Sequence, residues 1–278
     1  MIIWCASYPK SGNTWVRAII SSLLYTQDGI FNFNLLDKVA QFPSRSQFKD
    51  FTNDYLDYLD LKKICPYWIS AQEKINSDGK LRIFKTHNGN YNIGGNDFTN
   101  KKNTLAAIYI VRDPRNMLVS ISNHYQYNFN KCTRMILDEV NVLINNDLND
   151  KQESNIINLL GSWKNHYNSW KIVSNSIIIK YEDLIIDPKS QIYKLSSFLN
   201  KFGKFEANDE KINNIIKTTS FERLKKKEIQ EGFKEAAGSN IKFFNLGPKN
   251  NWKDIVDDKL IYQIEKNFNK EMKELRYI

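Results

Sequence analysis

Met1 to Ser7 is a short apolar run closed by Tyr8-Pro9, the pattern of a buried strand, and from Thr14 the positions Trp15, Ile19, Ile20, Leu23 and Leu24 recur at helical period. The chain therefore opens as strand, tight turn and helix. Leu81-Arg82-Ile83-Phe84 predicts a second strand ending at Lys85-Thr86-His87, ahead of a Gly/Asn-rich loop through Asn100. Leu105 to Val111 is nearly all apolar, as a parallel strand covered on both faces requires. Arg112-Asp113-Pro114 stops it, and Pro114 opens a helix to about Tyr127. A polar helical stretch is expected around 131–146, and a longer amphipathic helix over about 154–173, with Leu159, Trp163, Tyr167 and Trp170 on one side. Ile177-Ile178-Ile179 predicts the fourth strand, closing in Tyr181-Glu182-Asp183-Leu184; Asp187-Pro188 starts a helix to about Leu199. Helices are expected near 208–217 and 220–230, then a Gly/Asn/Pro loop at 238–251 and a final helix from about Asp257 to Leu275. Strands alternating with helices imply an α/β fold, a parallel sheet flanked by helices. No repeat, low-complexity tract or linker divides the chain, so residues 1–278 are expected to form a single domain.

Composition narrows the chemistry. With 41% hydrophobic and 13% aromatic residues the chain can bury a sizeable core. An excess of 40 Lys+Arg over 31 Asp+Glu, a formal charge of +9, suits an anionic ligand. The densest basic run is only Lys225-Lys226-Lys227, too little to support a nucleic-acid partner. Cys5, Cys65 and Cys132 are widely separated and lack metal-ligand spacing, which fits free thiols in a reducing compartment. The first residues make a poor signal peptide and no run approaches the ~18 apolar residues of a membrane span. A cytoplasmic protein without a membrane partner is the expectation.

Three clusters carry candidate chemistry. Pro9-Lys10-Ser11-Gly12-Asn13-Thr14-Trp15 joins a strand to a helix N-terminus, where converging backbone N–H groups and the helix dipole favour an anion. Lys10 adds an ammonium, and Ser11, Asn13 and Thr14 add donors. An ordinary turn capped by Thr14 would read the same way. The nucleoside-triphosphate loop G-x-x-x-x-G-K-[ST] is not matched: lysine precedes Gly12, and Ser7 stands where its first glycine would fall. Asp113 is the sole carboxylate at the second and third strand ends to offer a Mg²⁺ ligand, so the loop suits a phosphate that needs no metal. In the second cluster Lys85 and His87 share a face at a strand's carboxyl end, where open parallel sheets place ligands. Neighbouring lysines favour a neutral, basic imidazole, although a lone histidine is more often structural. In the third, Arg112 at a strand end and Ser120 two turns beyond Pro114 could clamp a second phosphate; a local salt-bridged turn and a packed small residue are the bland alternatives.

Taken in order, Tyr8-Pro-Lys-Ser-Gly-Asn-Thr-Trp15, Lys85-Thr86-His87, Arg112 with Ser120, Tyr181-Glu-Asp-Leu184 with Asp187-Pro188, and Thr218-Thr219-Ser220-Phe221 make the chain resemble the cytosolic-type sulfotransferase family. The resemblance spans residues 8 to 221. It implies the family's P-loop-like architecture and transfer of a sulfuryl group from 3′-phosphoadenosine 5′-phosphosulfate (PAPS), releasing the bisphosphate PAP, with no metal. By that resemblance Lys10, Ser11, Gly12, Asn13 and Thr14 would grip the 5′-phosphosulfate; Trp15, Tyr181, Thr219 and Phe221 would hold the adenine; Arg112 and Ser120 would bind the 3′-phosphate. His87 would be the general base, Lys10 would neutralise the departing phosphate and Lys85 would orient the sulfuryl group. The match departs in two places. Gly247, Trp252 and Lys253 align with the family's C-terminal cofactor stretch, but its Arg-Lys pair is Asn245-Leu246 here, so either Lys249, the preferred candidate, or Lys242 compensates, or the 3′-phosphate is held less firmly. After His87 the family's Leu-Pro is replaced by Asn88-Gly89.

A metal-dependent nucleotide kinase and a non-catalytic nucleotide-binding module are the competing classes. The loop's departure from the triphosphate motif opposes the first, and His87 beside Lys85 opposes the second. Among a hydroxylated small molecule, an amine and a glycan, a small-molecule acceptor bearing a hydroxyl or amine is the expectation; Tyr55 to Tyr58, Pro66-Tyr67-Trp68 and Tyr125 to Tyr127 are candidate lining, with core packing the equal alternative. Nothing in the sequence sets the oligomeric state.

Overall fold

The computed structural model describes residues 1–51, 58–144, 156–205, 207–236 and 241–278. Its central sheet has four strands, β1 (Ile2–Ser7), β2 (Arg82–Thr86), β3 (Thr104–Val111) and β4 (Ser176–Lys180), ordered β2-β1-β3-β4 and parallel throughout. Among the described residues the helices of nine residues or more are α1 (Asn13–Tyr25), α2 (Trp68–Asn76), α3 (Pro114–Tyr125), α4 (Phe129–Leu137), α5 (Trp163–Lys171), α6 (Pro188–Leu199), α7 (Asp209–Thr219), α8 (Phe221–Glu231) and α9 (Asp258–Asn267).

Every residue of β1 is buried, and alternate side chains enter different cores. Ile2, Trp4 and Ala6 join Tyr109, Trp163 and Trp170 beneath α2 to α5 and α9, whereas Ile3 and Cys5 join Val16, Ile19, Ile108 and Ile110 beneath α1, α6 and α7. Two-sided burial is why these strands read as continuous apolar runs. A third cluster, Ala18, Phe31, Leu36, Leu224 and Phe244, fills the space between α1 and α8. Because β2 and β3 flank β1 on opposite sides, the strand order reverses at β1, and the turn leaving it opens into the crevice where such sheets bind ligands. The three cysteines are free and buried.

Local signals explain most boundaries. Asp113 caps α3 by accepting from Arg115 N–H, with Pro114 in the first turn; Ser162 caps α5 and Asn208 caps α7 in the same way. Three expectations need correction. The helix expected over 131–146 ends at Leu137, and Val142–Ile144 is instead a strand paired antiparallel with Ile157–Leu159. Those pairing residues also cut short the helix expected from 154: Gly161 turns at φ 62° before Ser162 starts α5. The last expected helix is two, because buried Phe268 leaves helical geometry between α9 and Asn269–Glu274. Helix α2, not anticipated, packs Trp68 against Phe98. Of the expected aromatic lining, Tyr55 lies outside the described residues. No helix among the described residues is long and apolar enough to cross a membrane.

Ile110 has no exposed surface and packs in the core under α1 and α6. Ile110→Ala should destabilise the protein by about 2–5 kcal/mol, read as a lower urea midpoint at unchanged m-value.

Candidate functional site

The turn between β1 and α1 is left-handed at two residues: Lys10 has φ 66° and Gly12 φ 99°. Gly12 is needed there on a second count, since a Cβ would stand 2.6 Å from the Tyr181 ring. Asn13 braces the turn from inside, its Nδ2 donating to Cys5 O at 3.1 Å and to Ser7 Oγ at 3.2 Å. The turn opens into a cavity of about 860 Å³.

Sequence-predicted residues from six separate segments meet in this cavity. Lys10, Gly12, Asn13, Thr14 and Trp15 line it with Lys85 and His87 from the end of β2, Arg112 and Ser120 from β3–α3, and Tyr181, Phe221 and Gly247. Trp15 and Tyr181 meet edge to face with centroids 5.6 Å apart, and the Arg112 guanidinium lies 4.2 Å over the Tyr181 ring. Arg112 Nη1 donates to Lys10 O at 3.2 Å, while its buried Nε has no partner among the described residues. A Cβ on Gly247 would strike the Phe221 ring at 2.4 Å, so that glycine admits the aromatic wall.

Three predicted residues stand apart from the cavity lining. Ser11 is buried with its hydroxyl directed at Met117 Sδ, Thr219 Oγ1 donates back to Ile215 O in α7, and Lys249 is exposed on the short helical turn Gly247–Lys249. Lys249, expected to compensate for Asn245-Leu246, is not among the residues that line the cavity. The ammonium beside that turn is Lys225, which donates to Asn245 O at 2.8 Å.

His87 Nδ1 lies 2.8 Å from Ser7 O. Only a protonated Nδ1 can donate to a carbonyl, so the neutral ring keeps its lone pair on Nε2. The Ser7 hydroxyl that receives Asn13 is also 3.3 Å from Nδ1, tying the imidazole to the glycine turn. A second histidine, His166, accepts from Tyr109 OH at Nδ1 and donates from Nε2 to His87 O at 3.0 Å, and Trp170 Nε1 donates to Asn88 O at 2.9 Å. Asn88 Oδ1 in turn receives Leu159 N–H. The Asn88-Gly89 departure is thus a fixed turn. Burial, then the neighbouring Lys85 charge, push the His87 pKa down to about 3. Burial likewise lowers Lys10 to about 7, and its ammonium sits 3.8 Å from the centroid of the Phe243 ring.

The sequence did not announce Arg17, Glu235 or His124. Arg17 follows Thr14 by three positions on α1, a spacing that places both on one face and could have flagged it. Glu235 bonds Arg17 and Thr14 and lies 3.7 Å from Lys85 Nζ. His124 lines the cavity with its ring against Tyr125 and Phe243, and its buried Nδ1 has no partner among the described residues. Neither of these two carried a local signal. Among the described residues no group of three or more His, Cys, Asp or Glu is placed to hold a metal.

A family model described as "Sulfotransferase domain" matches residues 2–276. Flavonol 3-sulfotransferase of Flaveria bidentis is 24% identical over 274 residues, covering 95% of this chain and 79% of that protein. Amine sulfotransferase of Oryctolagus cuniculus is 23% identical over 288 residues, covering 98% and 81% respectively. Two solved structures share the fold over 98% of this chain. Mouse sulfotransferase SULT7A1 complexed with PAP has a TM-score of 0.58 at 21% identity, with 84% of its chain covered. Retinol dehydratase in complex with retinol and PAP has a TM-score of 0.60 at 18% identity, with 81% covered.

The buried histidines set a pH dependence. Unfolded imidazoles protonate near 6.5, whereas folded His87 protonates only near 3 and His166 near 4. Between those values the unfolded chain binds more protons, so their contribution to stability is present above pH 6.5 and is lost as pH falls through that interval. Thermal unfolding from pH 7 to pH 5 should show a falling midpoint, and His87→Asn should fall less steeply than wild type.

Proposed function

The chain belongs to the sulfotransferase-domain family, and from that premise we propose that it transfers a sulfuryl group from PAPS to a hydroxyl or amine of a small-molecule acceptor, with His87 as general base. The observation that carries this reading is the His87 tautomer: Nδ1 is committed to Ser7 O, which leaves the lone pair on Nε2 of a residue lining the cavity with the glycine turn and Lys85. A proton acceptor beside an anion cradle suits in-line attack by a deprotonated oxygen or nitrogen.

Three features support the fit of a 3′,5′-substituted adenosine. The aromatic walls Trp15, Tyr181 and Phe221 offer an apolar slot for a base. Gly12 and Gly247 let Tyr181 and Phe221 approach as a Cβ would not. Arg112 carries an unpartnered Nε beside Ser120, donors for a 3′-phosphate. When bound, PAPS supplies the activated sulfuryl group. Lys10 and the amides through Thr14 would hold its 5′ end and oppose charge growing on the departing phosphate, and Lys85 would orient the transferred group. His87 Nε2 would take the acceptor proton. Relatives named for a flavonol, a 3-alpha-hydroxysteroid and an amine support a small acceptor. Relatives named as cytosolic sulfotransferases support a cytoplasmic setting.

Calorimetry without magnesium should show adenosine 3′,5′-bisphosphate binding tightly and 5′-AMP much more weakly. Arg112→Ala should weaken bisphosphate binding about 10–100-fold, the worth of a charged hydrogen bond. His87→Ala should lower kcat about 10²–10⁴-fold while bisphosphate affinity stays close to wild type. Unchanged turnover in His87→Ala would refute the base assignment, and a magnesium-dependent preference for ATP would overturn the sulfotransferase reading.

A further inference from the structure

Glu235 sits where the proposed co-substrate's 5′ anionic group would have to go. Its Oε1 accepts from Arg17 Nη1 at 2.6 Å, and its Oε2 accepts from Thr14 Oγ1 at 2.9 Å and lies 3.7 Å from Lys85 Nζ. Thr14 is in the first turn of α1, Arg17 is one turn further on the same face, and Lys85 ends β2. These are the elements that build the anion site, yet Glu235 comes from the short segment after α8, 221 positions along the chain from Thr14. Both charged side chains are largely enclosed, 5% exposed for Arg17 and 19% for Glu235. Arg17 Nη2 is fixed by the carbonyls of Leu36 and Val39, so Nη1 points into the cavity whatever Glu235 does. Arg17 Nε is buried without a partner among the described residues.

A carboxylate presents two oxygens at nearly the spacing of two oxygens on a phosphoryl or sulfuryl group, with the same charge sign and the same demand for a forked donor. A hydroxyl, a guanidinium and an ammonium already converge on such an anion here, and that anion belongs to the chain itself. We propose that Glu235 is a resident stand-in for the 5′ anionic group of PAPS, and that Arg17 is a binding residue for that group. Binding then exchanges one anion for another on Arg17, Thr14 and Lys85. This inference rests on the sulfotransferase reading and adds to it an Arg17 ligand and a built-in competitor. Only the fraction of molecules with Glu235 withdrawn is competent to bind, which lowers the apparent affinity by that fraction. A carboxylate that merely braced the site, staying put while the ligand bound elsewhere, would impose no such penalty.

The test is calorimetric titration of adenosine 3′,5′-bisphosphate into wild type, Glu235→Gln and the double variant Arg17→Met/Glu235→Gln, without magnesium. Glu235→Gln should bind the bisphosphate at least about tenfold more tightly than wild type, since a competitor populated 90% of the time accounts for that factor. In the double variant at least tenfold of affinity should be lost again, because the guanidinium that the amide leaves free is gone. Inorganic phosphate as a probe should follow the same order. Equal or weaker binding by Glu235→Gln overturns the stand-in, and a double variant that binds as tightly as Glu235→Gln overturns the Arg17 assignment. If Glu235→Gln does not fold, Glu235→Asp, which withdraws the charge by one methylene, should also tighten binding; unchanged affinity there counts against the proposal. Absence of bisphosphate binding in every protein, wild type included, instead overturns the sulfotransferase reading itself.

Discussion

Positive charge gathered inside an enclosed cavity is the constraint on which the rest of this structure depends. Lys10, Arg17, Lys85 and Arg112 all point into one crevice at the end of β1. Removing an ion from water costs several kcal/mol unless it is paired, and four like charges add mutual repulsion. The effect is visible at Lys10, whose pKa has dropped to about 7 under burial, with Arg112 and Lys85 contributing and Glu235 opposing. Such a cluster holds together only around an anion. The strand order that reverses at β1 and the left-handed turn at Lys10 and Gly12 open the crevice for that anion, and the missing Cβ at two glycines lets the Tyr181 and Phe221 rings close beside it.

The same field acts on His87, the proposed base. His87 is kept neutral by burial and by Lys85, so the cations that attract an anion also keep Nε2 unprotonated. A pKa near 3 makes a weak proton acceptor, because proton transfer works best from a base whose pKa is near the working pH. Burial is the larger of the two causes, and an anion that takes the place of Glu235 beside Lys85 leaves that part of the depression untouched. The Asn13–Ser7–His87 hydrogen-bond chain keeps the imidazole and the glycine turn fixed to one another.

Elements carried by local pattern were legible in the sequence, and those carried by long-range packing were not. The strands β1 and β3 could be read because they are buried on both faces and written almost wholly in apolar residues, and β2 and β4 because a short apolar core of two or three residues is bounded by polar ones. Lys10 to Trp15, Lys85, His87 and Arg112 could be named because each stands at a strand end or helix start, where parallel topology brings side chains together; Ser120, in mid-helix, was legible only by its spacing from Arg112. The short antiparallel pair Val142–Ile144 with Ile157–Leu159 was taken for helix, since three-residue strands carry too few positions to show a period. Ser11 and Thr219 fit the same motifs as their neighbours, yet their hydroxyls turn to Met117 and to an α7 carbonyl. A linear motif does not state which way a side chain faces. Glu235 was invisible for a different reason: a glutamate among lysines reads as a solvated surface residue, and only the fold shows it deep among cations.

The two ends of the cavity are provisioned unequally. At the end proposed for the 5′ group, Lys10, Arg17, Lys85 and the Thr14 hydroxyl crowd one anion position. At the other, Arg112 is the one cation among the sequence-predicted residues that line the cavity, held flat over Tyr181 and anchored to the Lys10 carbonyl; Asn245 and Leu246 bring no charge, and Lys225 spends one of its donors on Asn245 O. A ligand that binds chiefly through its 5′ anion must therefore compete where Glu235 already stands, whereas one that also engages Arg112 gains contacts that Glu235 cannot imitate. Selectivity for a doubly anionic nucleoside over a simple phosphate then follows from the layout: the crowded end rejects weak anions by keeping its own, and the sparse end supplies the extra affinity that displaces it.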